Sequence, residues 1–371
     1  MCEFSLGRYH EQKANQAGLI MLCFKTLLFS GCLLLSVANI AAAQKPRSSI
    51  IIGESLTDNK NPQAGRLDSP FGVDFDAAGN MYIVELSGGR VHKLDATGKL
   101  QTIAGDGSKG YAGDDGPARQ ATFNGMHNVA VTPGGDVYIS DSWNHCIRKI
   151  DGKSGIITTI AGTGQAGFSG DGGQATNATF NFLMCISFNA SHNKIYAADL
   201  KNRRIRVVDL KTGIVTTVAG NGKKGVPKDG AVATESPLVD PRAVAVDSRG
   251  RIYILERSGH ALRVVTPDGK IRTVAGNGKA GGTDGPALEA TFNSPKHIAI
   301  DGDDNVIIAD DQNKRIRKYE PQHGRLTSLL GSGVDVPKRG LLRPHGVCVH
   351  QDGTIYIVDT GHHRIIRLQL P

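Results

Sequence analysis

Apolar and polar residues alternate in short runs along most of the chain, and Gly, Asp and Asn interrupt the runs every few residues. "NVAVT", "VYIS", "CIRKI" and "ITTIAG" follow one another between residues 128 and 162, with the turn signals "PGGD" and Lys153-Ser154-Gly155 among them. A period of two in runs rich in Val, Ile and Tyr predicts half-buried β-strands, and the punctuation predicts tight turns. Helical periodicity over a comparable length is absent. The pattern therefore predicts a unit of four short antiparallel strands.

The unit recurs six times. An acidic residue closes each predicted second strand: Glu85, Asp141, Asp199, Glu256, Asp310 and Asp359, spaced by 56, 58, 57, 54 and 49 residues. A four-stranded sheet with two apolar faces cannot stand alone. Six such sheets set radially bury each face against a neighbour. The fold class that follows is all-β, a six-bladed β-propeller of four-stranded antiparallel blades. The sixth unit stops after three strands, "GVCVH", "IYIVD" and "RIIRL", while an orphan strand, "SSIIIGES", lies near residue 50. Pairing of Ile50–Ile52 with Ile365–Leu368 would complete the last blade and remove two exposed edges.

The connections between units share Asp-Gly-x-Ala followed by Ala-Thr-Phe-Asn, and Phe123, Phe180 and Phe292 are expected to anchor them. No Gly-Lys-Ser/Thr follows their glycines, so a phosphate-binding loop is not indicated. Asp114, Asp171 and Asp284 in these loops could bind calcium, but their spacing matches no defined calcium loop.

"YISDSWNHCIRKI", "YAADLKNRRIRVV", "IADDQNKRIRKY" and "YIVDTGHHRIIRL" resemble the NHL repeat, with its Asp-x-x-Asn-x-Arg-Ile-Arg core. The "AGTGQAGFSGDGGQA" connection resembles those of exported bacterial members. The resemblance covers residues 50–370 and implies the propeller fold, not an activity. Units one and four depart from it, with Glu85 and Glu256 in place of Asp and no Asn before the third strand, so their second-to-third turns are expected to differ.

Composition adds a location. "LIMLCFKTLLFSGCLLLSVANIAAAQ" carries Lys25, an apolar run and Ala41-Ala42-Ala43, which reads as a signal peptide over residues 1–43, with Met21 an alternative start. An uncleaved anchor and lipidation at Cys32 are weaker readings. Residues 44–371 form a single propeller domain in this scheme, exported to the periplasm, medium or cell surface. They hold 40 Lys and Arg against 33 Asp and Glu, a net charge of +7. The basic residues are dispersed, and aromatic residues make up only 5% of the chain, so no nucleic-acid partner is expected. No further run is long enough to span a bilayer. Cys146, Cys185 and Cys348 remain, an odd and scattered set that reads as core residues rather than a disulfide framework.

Repetition guides the search for chemistry. The acidic residues recur in all units, so they read as acceptors for N–H groups of their own turns rather than as metal ligands. The arginines at 148, 204, 206, 263, 315, 317, 364 and 367 read as surface or inter-blade partners, and His362 and His363 as turn residues. Positions where the units differ say more. At the expected channel-facing start of the first strand stand Phe71, His127, Met184, Arg242, Lys296 and His345, and one residue on stand Gly72, Asn128, Cys185, Ala243, His297 and Gly346. The first ring is cationic in units four to six, and neither holds a carboxylate, which points to a small anionic or carbohydrate ligand at the channel mouth.

Pro344-His345 also resembles the Pro-His element of peptidylglycine-amidating lyases, which are NHL-like propellers with a zinc held by three histidines. That resemblance implies His127, His297 and His345 as zinc ligands. His297 is one residue out of register, which on a regular strand reverses the side chain. The Glu/Asn/Asp metal cluster of the gluconolactonase-like group has no counterpart at the aligned positions. The expectation is a monomeric binding or scaffold module for a protein, peptide or glycan. A zinc- or calcium-dependent lyase or hydrolase at the channel is the alternative.

Overall fold

A computed structural model describes residues 46–53, 67–331 and 339–371; the expected export segment lies outside these. Six antiparallel sheets span residues 70–104, 126–161, 183–219, 241–275, 297–330 and 344–369, one for each sequence unit. Each first strand packs against the first strands of both neighbouring blades, so the six close a ring around a central axis. Blade 6 is completed by Arg47–Ile52, which pairs with Arg364–Gln369 in the register Ser48 with Leu368, Ile50 with Ile366 and Ile52 with Ile365. The ring is closed as the sequence indicates. Blades 4 and 5 each gain a two-residue fifth strand, Ala231–Val232 and Gly285–Pro286, contributed by the preceding connection.

The apolar cores lie between blades. One cluster joins Tyr82 and Val84 of blade 1 to Val129 and Ile139 of blade 2, and equivalent clusters follow around the ring. Phe123, Phe180 and Phe292 are fully buried and hold the connections onto this body, as expected. The three described cysteines are buried and unpaired. Among the described residues, no helix is long and apolar enough to cross a membrane.

One expectation is corrected and another narrowed. The acidic residues do not cap their own turns. Each accepts a backbone N–H from the segment leading into its blade, 16 to 18 residues earlier: Asp68 N–H to Glu85, Asn124 to Asp141, Asn181 to Asp199, Val239 to Glu256, Asn293 to Asp310 and Leu342 and Arg343 to Asp359. The residue three positions on, Asn144, Asn202, Asn313 or His362, holds the other carboxylate oxygen.

Of the two readings given to the arginines, surface or inter-blade, Arg148, Arg206, Arg317 and Arg364 exclude the first; all four are fully buried. Three of them reach the incoming loop and ion-pair with Asp114, Asp171 and Asp284 at 2.6, 2.8 and 2.7 Å. They also take carbonyls of the same loops and lie over the anchoring phenylalanines, Arg148 on Phe123 at 5.0 Å and Arg206 on Phe180 at 4.5 Å. The loop aspartates considered for calcium are thus engaged by arginine.

The turns of blades 1 and 4 end like the others in a left-handed residue, Gly89 and His260, beside His145, Arg203, Lys314 and His363. What differs is the side chain. The longer Glu85 and Glu256 reach His92 and Arg263 directly, without an intervening Asn. His363 is a turn residue, and its Nδ1 accepts the Ser69 N–H of the next blade.

Candidate functional site at the propeller axis

A β-bulge decides what faces the axis. In blades 1, 2, 4 and 6 the first strand slips register over one residue: Pro70 pairs with Glu85 but Gly72 with Val84, and the same break falls at His127, Arg242 and His345. A bulge inserts one unpaired residue and resets the alternation beyond it. Two consecutive positions therefore turn inward, one layer above the other. His297 of blade 5, expected to point away, pairs with Ala309 without a recorded break and also faces the axis, where it meets Asn128.

The upper layer is the predicted ring. Phe71 sits among its neighbours, with its ring centroid 4.6 Å from those of both His127 and His345, and the Arg242 guanidinium lies 5.5 Å from it across the axis. Phe71, His127, Met184 and Arg242 are buried. The Nδ1 of His127 is 2.8 Å from the Gly125 carbonyl, which can only accept, so the imidazole proton sits on that nitrogen. In the lower layer the Asn128 amide nitrogen of blade 2 meets His297 Nε2 of blade 5 at 2.9 Å, directly across the ring, and Cys185 Sγ is 3.6 Å from the same nitrogen. Two opposed contacts, one above the other, thus close the axis.

Above the plug lies a charged cluster that includes a carboxylate the aligned rings do not contain. Asp311, fully buried, ion-pairs with Arg343 at 2.8 Å and stands 3.5 Å from His345 Nε2 and 3.8 Å from Lys296 Nζ. Burial would raise its pKa, but His345 and Arg343 overcome this and hold it at about 2. Asp311 follows the acidic residue of its second strand, in the register of Leu86, Ser142, Leu200, Arg257 and Thr360. Residues there turn onto the next blade: the Ser142 and Thr360 hydroxyls donate to the Leu183 and Pro70 carbonyls. Variation at this third register was the signal that would have found Asp311 and Arg257.

Arg242 differs from every other cation in the cluster. It is 2% exposed, and among the described residues no hydrogen bond and no carboxylate within ion-pair distance reaches it; its Nε is buried without a partner. Arg257 is taken by Asp240 at 2.9 Å. Burial, with Arg257 nearby, pulls Arg242 down to about 10, and burial and Arg242 together pull Lys296 to about 8. Burial depresses His127 and His345, and burial with Arg242 takes His297 to about 4. Arg242, Arg257, Lys296 and Arg343 face only Asp240 and Asp311. The cluster is therefore short of negative charge before its histidines are counted.

The three histidines named for zinc are not assembled: the Phe71 ring packs against both His127 and His345, and His297 lies one layer down. Among the described residues, no three His, Cys, Asp or Glu side chains converge as a metal site. Beneath the plug the channel widens into a chamber of about 440 Å³, walled by the first strands of all six blades. None of the six ring residues lines it.

Fold and repeat together define the class: this is a six-bladed β-propeller that contains NHL repeats. The NHL repeat family matches residues 123–150 and 341–368. The chain is similar to NHL repeat-containing protein 2 of Gallus gallus, 24% identical over 343 residues, 81% of this chain and 46% of that protein. It spans less than half the length of the curated relatives it matches. Among solved structures it is similar to an auxiliary nutrient binding protein from Bacteroides thetaiotaomicron (TM-score 0.63, 14% identity, 88% of this chain and 76% of that one). A second is the catalytically inactive virginiamycin B lyase of Staphylococcus aureus with quinupristin (TM-score 0.54, 13% identity, 88% of this chain and all of that one). At these identities the likeness is one of fold.

Proposed function

We propose that the chain is an exported NHL propeller that acts as a binding module, taking a carboxylate-bearing peptide or glycan over the basic cluster at its axis. The observation that carries this reading is Arg242, a buried guanidinium that no carboxylate reaches within ion-pair distance among the described residues, in the same ring as Lys296 and His345. A carboxylate set on that cluster would meet Lys296, His345 and the half-exposed Arg343 and Arg257, with the Arg242 charge behind them. Burial strengthens such pairing, because the site is screened less than an open surface. The auxiliary nutrient binding protein among the similar folds is consistent with a ligand-binding role. Immobilised peptide and glycan libraries test the reading. Retention of acidic members, lost in Arg242→Met, supports it; retention that ignores charge overturns it.

A lyase or hydrolase is the second reading, favoured by one feature. His345 faces the Asp311 carboxylate beside Lys296, whose pKa is near 8, and such a pairing suits general acid–base work. The virginiamycin B lyase fold is compatible with it. Metal analysis of the purified protein addresses its metal-dependent form. Stoichiometric zinc or calcium, lost in His127→Ala or His345→Ala, would favour the enzyme. Metal-free protein, with stability unchanged by chelation, would favour the binding module.

A further inference from the structure

The chamber beneath the plug has its own chemistry. Its lining comes from all six blades and mixes small apolar with polar groups: Ala130, Ala245 and Ala299 stand beside Asp74, Asn128 and Ser187. Its inner end is closed by Asn128 and His297, and its outer rim is made by the turns after the first strands. A volume of about 440 Å³ falls within the range of small-molecule pockets.

One carboxylate stands in this wall without a counter-ion. Asp74 Oδ2 accepts the Val131 N–H at 2.7 Å, and Oδ1 lies 3.4 Å from the Cys348 thiol; no ion pair reaches it among the described residues. Asp76, at the rim, differs: Asn80, Tyr82 and Lys93 already occupy it. Two aromatic pairs flank the mouth, Phe75 with His350 at 4.8 Å and Phe188 with His192 at 5.2 Å. An ammonium passing them meets ring faces that attract cations and then a carboxylate in the wall of a recess. An anion finds no fixed cation in the wall.

We propose that this chamber is a second binding site, for a small ligand carrying a protonated amine on an apolar body of arylalkyl size. The amine pairs with Asp74 Oδ1, and the body fills the space beneath the Asn128–His297 contact. The plug separates this site from the basic cluster, so the two act on ligands of opposite charge at opposite ends of the axis.

The test is calorimetric titration of the protein with phenethylamine, 2-phenylethanol and 3-phenylpropionate, near-isosteric probes that are cationic, neutral and anionic. The amine is expected to bind at least tenfold more tightly than the alcohol, and the acid to bind more weakly than either. Asp74→Asn keeps an oxygen for the Val131 N–H and should bring the amine down to the affinity of the alcohol. Ser187→Trp, which fills the chamber, should abolish binding of the amine in a protein whose thermal melt stays cooperative; this variant decides the matter if Asp74→Asn does not fold. Equal affinity for amine and alcohol, no binding of the amine, or undiminished binding in either folded variant overturns the proposal.

Discussion

Removing a guanidinium from water without a partner is strongly unfavourable, and the fold tolerates this at Arg242. Arg242→Met keeps the length of the side chain and its contact with Phe71 while deleting the charge. It should stabilise the protein by about 2 kcal/mol in denaturant melts and abolish binding of acidic ligands. A destabilised variant would mean that the charge has an internal partner. His297 gives a second outcome. Its pKa is about 4 when folded, against 6.5 for an ordinary histidine, so between these values the unfolded chain takes up more protons. Stability should therefore fall as pH drops from about 6.5 to about 4, by roughly 3 kcal/mol, and His297→Gln should flatten that limb. A limb of equal slope in the variant would place the titration elsewhere. The ring residues themselves were legible in the sequence because they break the sixfold repetition. Asp311 was missed, since it follows its strand in a register that turns onto the next blade, and only variation at that register marks it.

At the scale of the strand and loop, the repeated Asp and Arg form one device rather than two. Arg317 bonds Asp310 at 3.0 Å on its own blade and Asp284 on the incoming connection, with the Thr283 carbonyl between them. It ties strand, loop and turn together at full burial. Arg317→Met leaves Asp310 buried without its cation and should lower stability by about 3–5 kcal/mol, measured by urea denaturation. A loss under about 1 kcal/mol would return the arginine to a surface role, the other of the two readings its sequence allowed. That ambiguity has a physical source: a charged residue on alternate strand positions reads as solvent-facing, and only the loop folding back over the sheet buries it. The closure strand was legible, because a missing fourth strand at one end and an orphan at the other have few other solutions. Deleting Arg47–Gly53 uncovers Arg364–Gln369 and should lower the melting temperature by many degrees; an unchanged value would contradict the closure.

Across the whole molecule, the axis is a sealed tube with two unlike ends. The bulged starts of the first strands pack into a plug, with Phe71 and Arg242 above and Asn128 and His297 below. Cations gather on one side of it and a lone carboxylate on the other. Blade count and order follow from repetition, but the plug follows from residues that differ between repeats, and function is expected to lie there. Trp143, the only tryptophan in the chain, stands beside this plug, its ring 6.1 Å from that of His127, and so reports on it. The most direct test is a titration of Trp143 fluorescence with a short acetylated peptide carrying either a free or an amidated C-terminus, at pH 7 and pH 9. The free carboxylate should bind at least tenfold more tightly than the amide at pH 7. That preference should shrink at pH 9, where Lys296, with a pKa near 8, has lost its charge. Equal binding of the two peptides at pH 7, or a preference for the amide, would contradict an anion-binding axis.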